Sequence, residues 1–197
     1  EGLALEGVSC AACHVREGRV VSAHVSGHAP HDTREEPRLA TLEACASCHE
    51  FSFPSREEMP RGRHDPSGLM QSTLSEHRES ASAEDCISCH LPTRGSGTSH
   101  ALPGHRDPEM LEAALAVRVE RAERVSGDEA RLELALRSRA AHAVPTGDLF
   151  RRLEVRAWPV GAPERARVVV LTRRFEDVDG ELRELADTRV PPRGERM

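Results

Sequence analysis

The 197-residue chain contains no Lys, no Asn and no Tyr, and its single Ile is Ile87. Avoidance of AT-rich codons accounts for that pattern, so the use of Arg in place of Lys carries little functional meaning. It does exclude amine ligands and Schiff-base lysines. Aromatic residues make up 3% of the chain, four Phe and one Trp, so the side chains that ordinarily dominate core burial are nearly missing. Something else is expected to fill the interior. No apolar run approaches the ~20 residues of a membrane-spanning helix, and no basic stripe of the kind that marks nucleic-acid partners is present. The chain also lacks an initiator Met and any signal-like segment, so it is expected to begin after a processing boundary.

The formal charge of −6 is unevenly spread. Residues 1–105 carry 9 Arg against 15 Asp and Glu, whereas residues 106–197 carry 18 against 18. An acidic first half suits docking to a basic partner by electrostatic steering. It equally suits a solvated surface that keeps the chain soluble.

All six cysteines fall in one repeated arrangement: CAACH at Cys10–His14, CASCH at Cys45–His49 and CISCH at Cys86–His90. A bare CxxC is also a redox dithiol or half of a zinc site. The redox use wants a βαβ setting, which these His- and Pro-rich connections do not offer, and three pairs fit poorly with a four-cysteine zinc site. The histidine after each pair decides the matter, because a chance His at all three places has odds of roughly 2 in 10,000, while CxxCH is the attachment signal for c-type haem. Two thiols at this spacing reach the two vinyl groups on one haem edge, and the adjacent imidazole is carried beneath the ring to iron. Cys10, Cys13, Cys45, Cys48, Cys86 and Cys89 are thus the expected thioether anchors of three covalent haems c. His14, His49 and His90 are the expected proximal ligands. Such attachment occurs outside the cytoplasmic membrane, which implies a periplasmic or extracellular protein. Three macrocycles would also supply the apolar area that the missing aromatics do not.

Eight histidines remain: His24, His28, His31, His64, His77, His100, His105 and His142. Eight against three irons favours a second imidazole on each iron. His142 stands alone in the second half of the chain, in HAVPTGD, where Pro145 and Gly147 mark a turn. Met59 and Met70 are further axial candidates, although packing is their more ordinary use.

The succession GVSCAACHVREG, APHDT, CASCHEFSFP, MQSTLSEHRES, CISCHLPT, SHALPGHRDPEML and AHAVPTGDLFRRLEV resembles a family of exported bacterial multihaem cytochromes c, over residues 7 to about 157. In that family a haem-bearing segment precedes a small β domain. The resemblance implies His31, His100 and His142 as distal ligands, with His105 in reserve and His24 and His28 next. His77 stands where the family has Trp, a departure that marks it as incidental.

The expected class is mixed: an N-terminal multihaem c-type segment of short helices and mostly loop, followed by an antiparallel β-sandwich-like domain. Residues 1–105 form the trihaem segment, with short helices at 37–48 and 68–81. Residues 106–114 form a connecting helix that starts from Asp107 as N-cap with Pro108 at N1. From residue 115 the apolar period becomes two, with Val117 and Val119, then Leu132, Leu134 and Leu136, then Leu153, Val155 and Ala157, and a hairpin about DVDG. Residues 115–190 are therefore expected to form five or six strands, with 191–197 as a tail. His142 would then lock the β domain to a haem.

The leading functional expectation is electron transfer without substrate chemistry, between other redox proteins or cytochromes. A conducting subunit in a larger assembly, made in part of copies of itself, is the alternative. A multihaem oxidoreductase with one open iron ranks third. The missing Lys and Tyr exclude a lysine-ligated or tyrosine-crosslinked active haem.

Overall fold

The computed structural model describes residues 8–197 except 26, 29, 54–62, 65–67, 96, 128 and 180, and the side chains of residues 63, 64 and 94. Met59 and the side chain of His64 therefore lie outside the described residues.

In chain order the elements are α1 (Cys10–His14), β1 (Val15–Arg16), β2 (Arg19–Ser22), β3 (Thr33–Glu35), α2 (Glu43–His49), β4 (Glu50–Ser52), β5 (Arg63–His64), β6 (Leu69–Ser72), α3 (Thr73–Glu79), α4 (Cys86–His90), β7 (Thr93–Arg94) and β8 (Gly97–Thr98). There follow α5 (Pro108–Ala114), β9 (Leu115–Arg124), β10 (Ala130–Ser138), β11 (Leu153–Ala157), β12 (Arg167–Leu171), β13 (Arg173–Val178), β14 (Glu181–Asp187) and β15 (Glu195–Arg196). The fold is mixed, with short helices, loops and mainly antiparallel sheets, as expected. Two compact units are formed, one of Glu1–Ser47 with Asp85–Leu102 and the other of Cys48–Glu84 with Pro103–Met197. Residues 48–84, read from sequence as part of the haem segment, thus group with the long strands.

Helix boundaries follow the local chemistry. The Asp107 carboxylate accepts the Met110 N–H at 2.9 Å and Pro108 opens α5, which satisfies one of the free N–H groups of the first turn. The expected helix over 68–81 is instead strand β6 followed by α3, because Leu69–Ser72 pairs with β4. Over 37–48 the chain makes a 3₁₀ turn at Pro37–Ala40 and then α2.

In the second unit β9 and β10 form an antiparallel pair with β15 on the far side of β10, so the expected tail ends in a short strand. Leu134 pairs with Val119 and Leu136 with Val117, but beyond the bulge Leu132 pairs with Ala122 and Glu133 with Arg121. The bulge has a sequence cause. Strict alternation after Val119 would place Arg121 on the apolar face, and one extra residue at Glu120 puts Ala122 there instead. β11 pairs with β12. Leu136, Leu171 and Val190 form the core between these sheets, with Leu115, Leu134, Val144, Leu153 and Val155 packed around them. The apolar side of β9 is only partly covered, and Val117 and Val119 stay 59% and 58% exposed. Since Leu136 is buried at the centre of so small a core, Leu136→Ala is expected to cost about 2–5 kcal/mol, measurable as a lowered denaturant midpoint.

β13 and β14 make the DVDG hairpin, and β5 adds to it in parallel. Arg173 ties this sheet to β6, donating to the carbonyls of Leu69 at 2.8 Å and Met70 at 2.9 Å and pairing with Glu184 at 2.7 Å. Its guanidinium lies 4.9 Å from the Phe175 ring centre, and Phe53 meets that ring edge-on at 5.6 Å.

Candidate haem-binding site

Each CxxCH motif ends a short helix: α1, α2 and α4. Helical spacing puts the two cysteines, three apart, and the histidine, four after the first, on one side of the turn. The third helix has an added cap, since the Asp85 carboxylate accepts the Ser88 N–H at 2.7 Å. All six sulfurs stand outside disulfides, four of them exposed.

The imidazoles are oriented by their Nδ1 atoms. His14 Nδ1 lies 2.9 Å from the carbonyl of Val21, a residue with no solvent exposure. A carbonyl only accepts, so Nδ1 carries the proton and Nε2 keeps its lone pair. The same logic holds for His100, whose Nδ1 meets the Thr98 carbonyl at 3.1 Å, and for His142, whose Nδ1 meets the Ala143 carbonyl at 3.0 Å. His31 Nδ1 lies 3.0 Å from the Thr33 hydroxyl, which itself donates to the His31 carbonyl at 3.2 Å, so that oxygen accepts from the ring. In His14, His31 and His100 the proton thus sits on Nδ1 and the lone pair stays on Nε2, the form a metal takes, with the Nδ1 hydrogen bond that metal-ligating histidines ordinarily make. His49 Nδ1 faces the Gln71 side-chain amide at 2.8 Å, and an amide can serve a ring nitrogen of either tautomer.

His77 is the opposite case. Its Nε2 lies 2.6 Å from the Glu84 carbonyl, so Nε2 is protonated and its lone pair is gone. The buried ring instead braces the turn that follows α3.

Within the first unit, the rings of His14 and His100 have centres 6.1 Å apart and planes inclined at 52°. Trans imidazoles on one metal, with bonds of about 2.0–2.1 Å, put their ring centres roughly 6 Å apart. The separation therefore fits a shared iron. His31 shares with Cys10 and His14 a cavity of about 580 Å³ that His24 and His28 also line. His105 is exposed.

Cys45 and Cys86, from different motifs, are hydrogen-bonded to each other. That bond draws the Cys45 thiol down to about 7, against the opposing effects of burial and Asp85, and it pushes Cys86 up, with burial adding to the rise. In thioethers neither sulfur titrates, so these shifts belong to the haem-free chain.

In the second unit the strap 142–147 carries His142. Val144 forms a two-bond bridge with Val190, both bonds 2.9 Å. Gly147 sits at φ +118°, with the Arg151 side chain 3.4 Å from where a Cβ would stand, so a glycine is required at that turn. Beneath the strap lies a cluster of charged groups that the sequence gave no means to find. The Glu76 and Arg189 side chains, 9% and 6% exposed, pair at 2.7 Å, and Arg189 also holds Asp187 at 2.7 Å. Burial opposes the charge on Arg189, but its hydrogen bonds to Asp187 and the charges of Glu76 and Asp187 prevail and hold the guanidinium above its ordinary value.

Each motif holds its paired sulfurs and its histidine on one short helix, an arrangement that fits haem c attachment, and His14 and His100 lie close together. The comparisons with known proteins agree with that fold. The chain resembles the crystal structure of a penta-heme cytochrome c552 from Thermochromatium tepidum, with a TM-score of 0.59 and 22% identity over 83% of this chain. It thus has the fold of a multihaem cytochrome c, and it spans 45% of that neighbour's length. No family model and no curated protein matches the chain. No helix among the described residues is long and apolar enough to cross a membrane.

Proposed function

We propose that the chain transfers electrons through three covalently bound c-type haems with mainly bis-histidine irons. The observation that carries this reading is the Nε2 lone pair left on His14, His31 and His100, each imposed by a hydrogen bond at Nδ1. An iron closed by two imidazoles exchanges electrons but has no position for a substrate. His14 and His100, 6.1 Å apart, are assigned to the first haem. His49 and His142, which fall in the same compact unit, are assigned to the second. His31, on the cavity wall beside Cys10 and His14, is the remaining distal candidate, and His90 the remaining proximal one.

The contact between Cys45 and Cys86 would bring the attachment points of the second and third haems side by side, as electron exchange between them requires. The haem supplies the redox chemistry, while the chain fixes ligand type, burial and nearby charge. The acidic first half favours a basic redox partner outside the cytoplasm.

Two tests apply. Pyridine haemochrome analysis of protein made with haem-attachment machinery should give three haems per chain, and the Cys86→Ala, Cys89→Ala double variant should give two. Carbon monoxide added to the reduced protein should find no open iron, and rapid uptake at one haem would instead favour an oxidoreductase.

A further inference from the structure

The Glu76 carboxylate receives four donors. Arg189 Nη1 at 2.7 Å and the Ser72 hydroxyl at 2.9 Å approach Oε1, and the Ala143 N–H at 3.0 Å and the Thr146 hydroxyl at 2.9 Å approach Oε2. Two of these donors belong to the strap immediately after His142. Ala143 is held at both of its backbone polar groups, because its N–H donates to Glu76 and its carbonyl accepts from His142 Nδ1. Arg189 adds a contact to the Pro145 carbonyl at 3.3 Å. The ring of His142 is therefore aimed by a residue, Ala143, that the ion pair pins, and Glu76 lies 67 residues away in sequence from it.

We propose that Glu76, paired with Arg189, is the positioning residue that fixes the His142 imidazole for iron. The proposal rests on the reading of His142 as an axial ligand. Its physical basis is the count of donors. A carboxylate accepts on both oxygens, whereas a glutamine amide accepts on one and donates on the other. Whichever way the amide of Glu76→Gln turns, its NH₂ faces one group that can only donate, the Arg189 guanidinium or the Ala143 N–H, so either the ion pair or the strap must let go. Glu76→Asp keeps both accepting oxygens and should restore much of the hold.

The test uses the haem-loaded protein and reads the low-spin signature together with the rate of carbon monoxide binding to the reduced form. Glu76→Gln is expected to make one haem of three partly high-spin and faster to bind carbon monoxide, and Glu76→Asp to reverse most of that change. Phe175→Ala, which removes a ring packed on Arg173 and Phe53 and not on the strap, should leave both readouts at wild-type values. If Glu76→Gln does not fold, Thr146→Val removes one strap donor and leaves the ion pair, and a smaller increase at the same haem is expected. The proposal is overturned if the variant that folds matches the wild type in both readouts while His142→Ala opens one iron. If His142→Ala opens none, the ligand reading itself fails and the proposal falls with it.

Discussion

Replacing His142 by Ala is expected to turn one haem in three high-spin and leave the other two unchanged. The ring is aimed by its own Nδ1 hydrogen bond to the Ala143 carbonyl, and the strap is fixed by the Val144–Val190 bridge and by Glu76. Ala removes the Nε2 lone pair and preserves that backbone, so nothing in the strap can replace it. Water is the weak ligand left to fill the sixth position. The reduced variant should then bind carbon monoxide at one third of its haem, read as a fractional shift of the absorption bands. A variant in which all three irons stay low-spin would remove His142 from the ligand set and return His105, His24 and His28 to consideration.

The second large effect is on stability. Arg189→Met is expected to cost about 3–5 kcal/mol, the usual result of removing one partner from a buried ion pair. Here two carboxylates, Glu76 and Asp187, lose their common cation at once. Burial pushes the Asp187 carboxyl up, but its hydrogen bonds and attraction to Arg189 prevail and hold it below the usual carboxylate range. A depressed carboxyl stabilises the fold above its ordinary value of about 3.9, and that contribution is lost as the pH falls through the lower, folded value. Wild-type stability should therefore decline on acidification below about pH 4, and Arg189→Met should lose that part of the pH dependence. Chemical denaturation at a series of pH values measures both.

The three CxxCH motifs were legible from sequence because their spacing is local, and each lies on a short helix. The α5 cap at Asp107 and the strand periods after residue 115 were legible for the same reason, since neighbours in sequence decide them. The β6 strand was not. Leu69–Ser72 reads as the start of a helix until its pairing with β4, some twenty residues earlier, is known. The Glu76 cluster was hidden for a similar reason. Its partners Arg189, Ala143 and Thr146 are 67 to 113 residues away, and a lone Glu on a short helix looks like a solvated one. Val117 and Val119 show the reverse limit. Their alternation places them correctly on the apolar face, but no local signal reveals that the core reaches only the β10 side of it.

The central claim is that three irons, each closed by protein ligands, carry electrons through this chain. An equilibrium redox titration of the haem-loaded protein, followed in the haem absorption bands, tests it most directly. The account predicts three one-electron equivalents per chain, all from low-spin haems. Fewer than three equivalents, or a wild-type haem that is high-spin at rest, would contradict it.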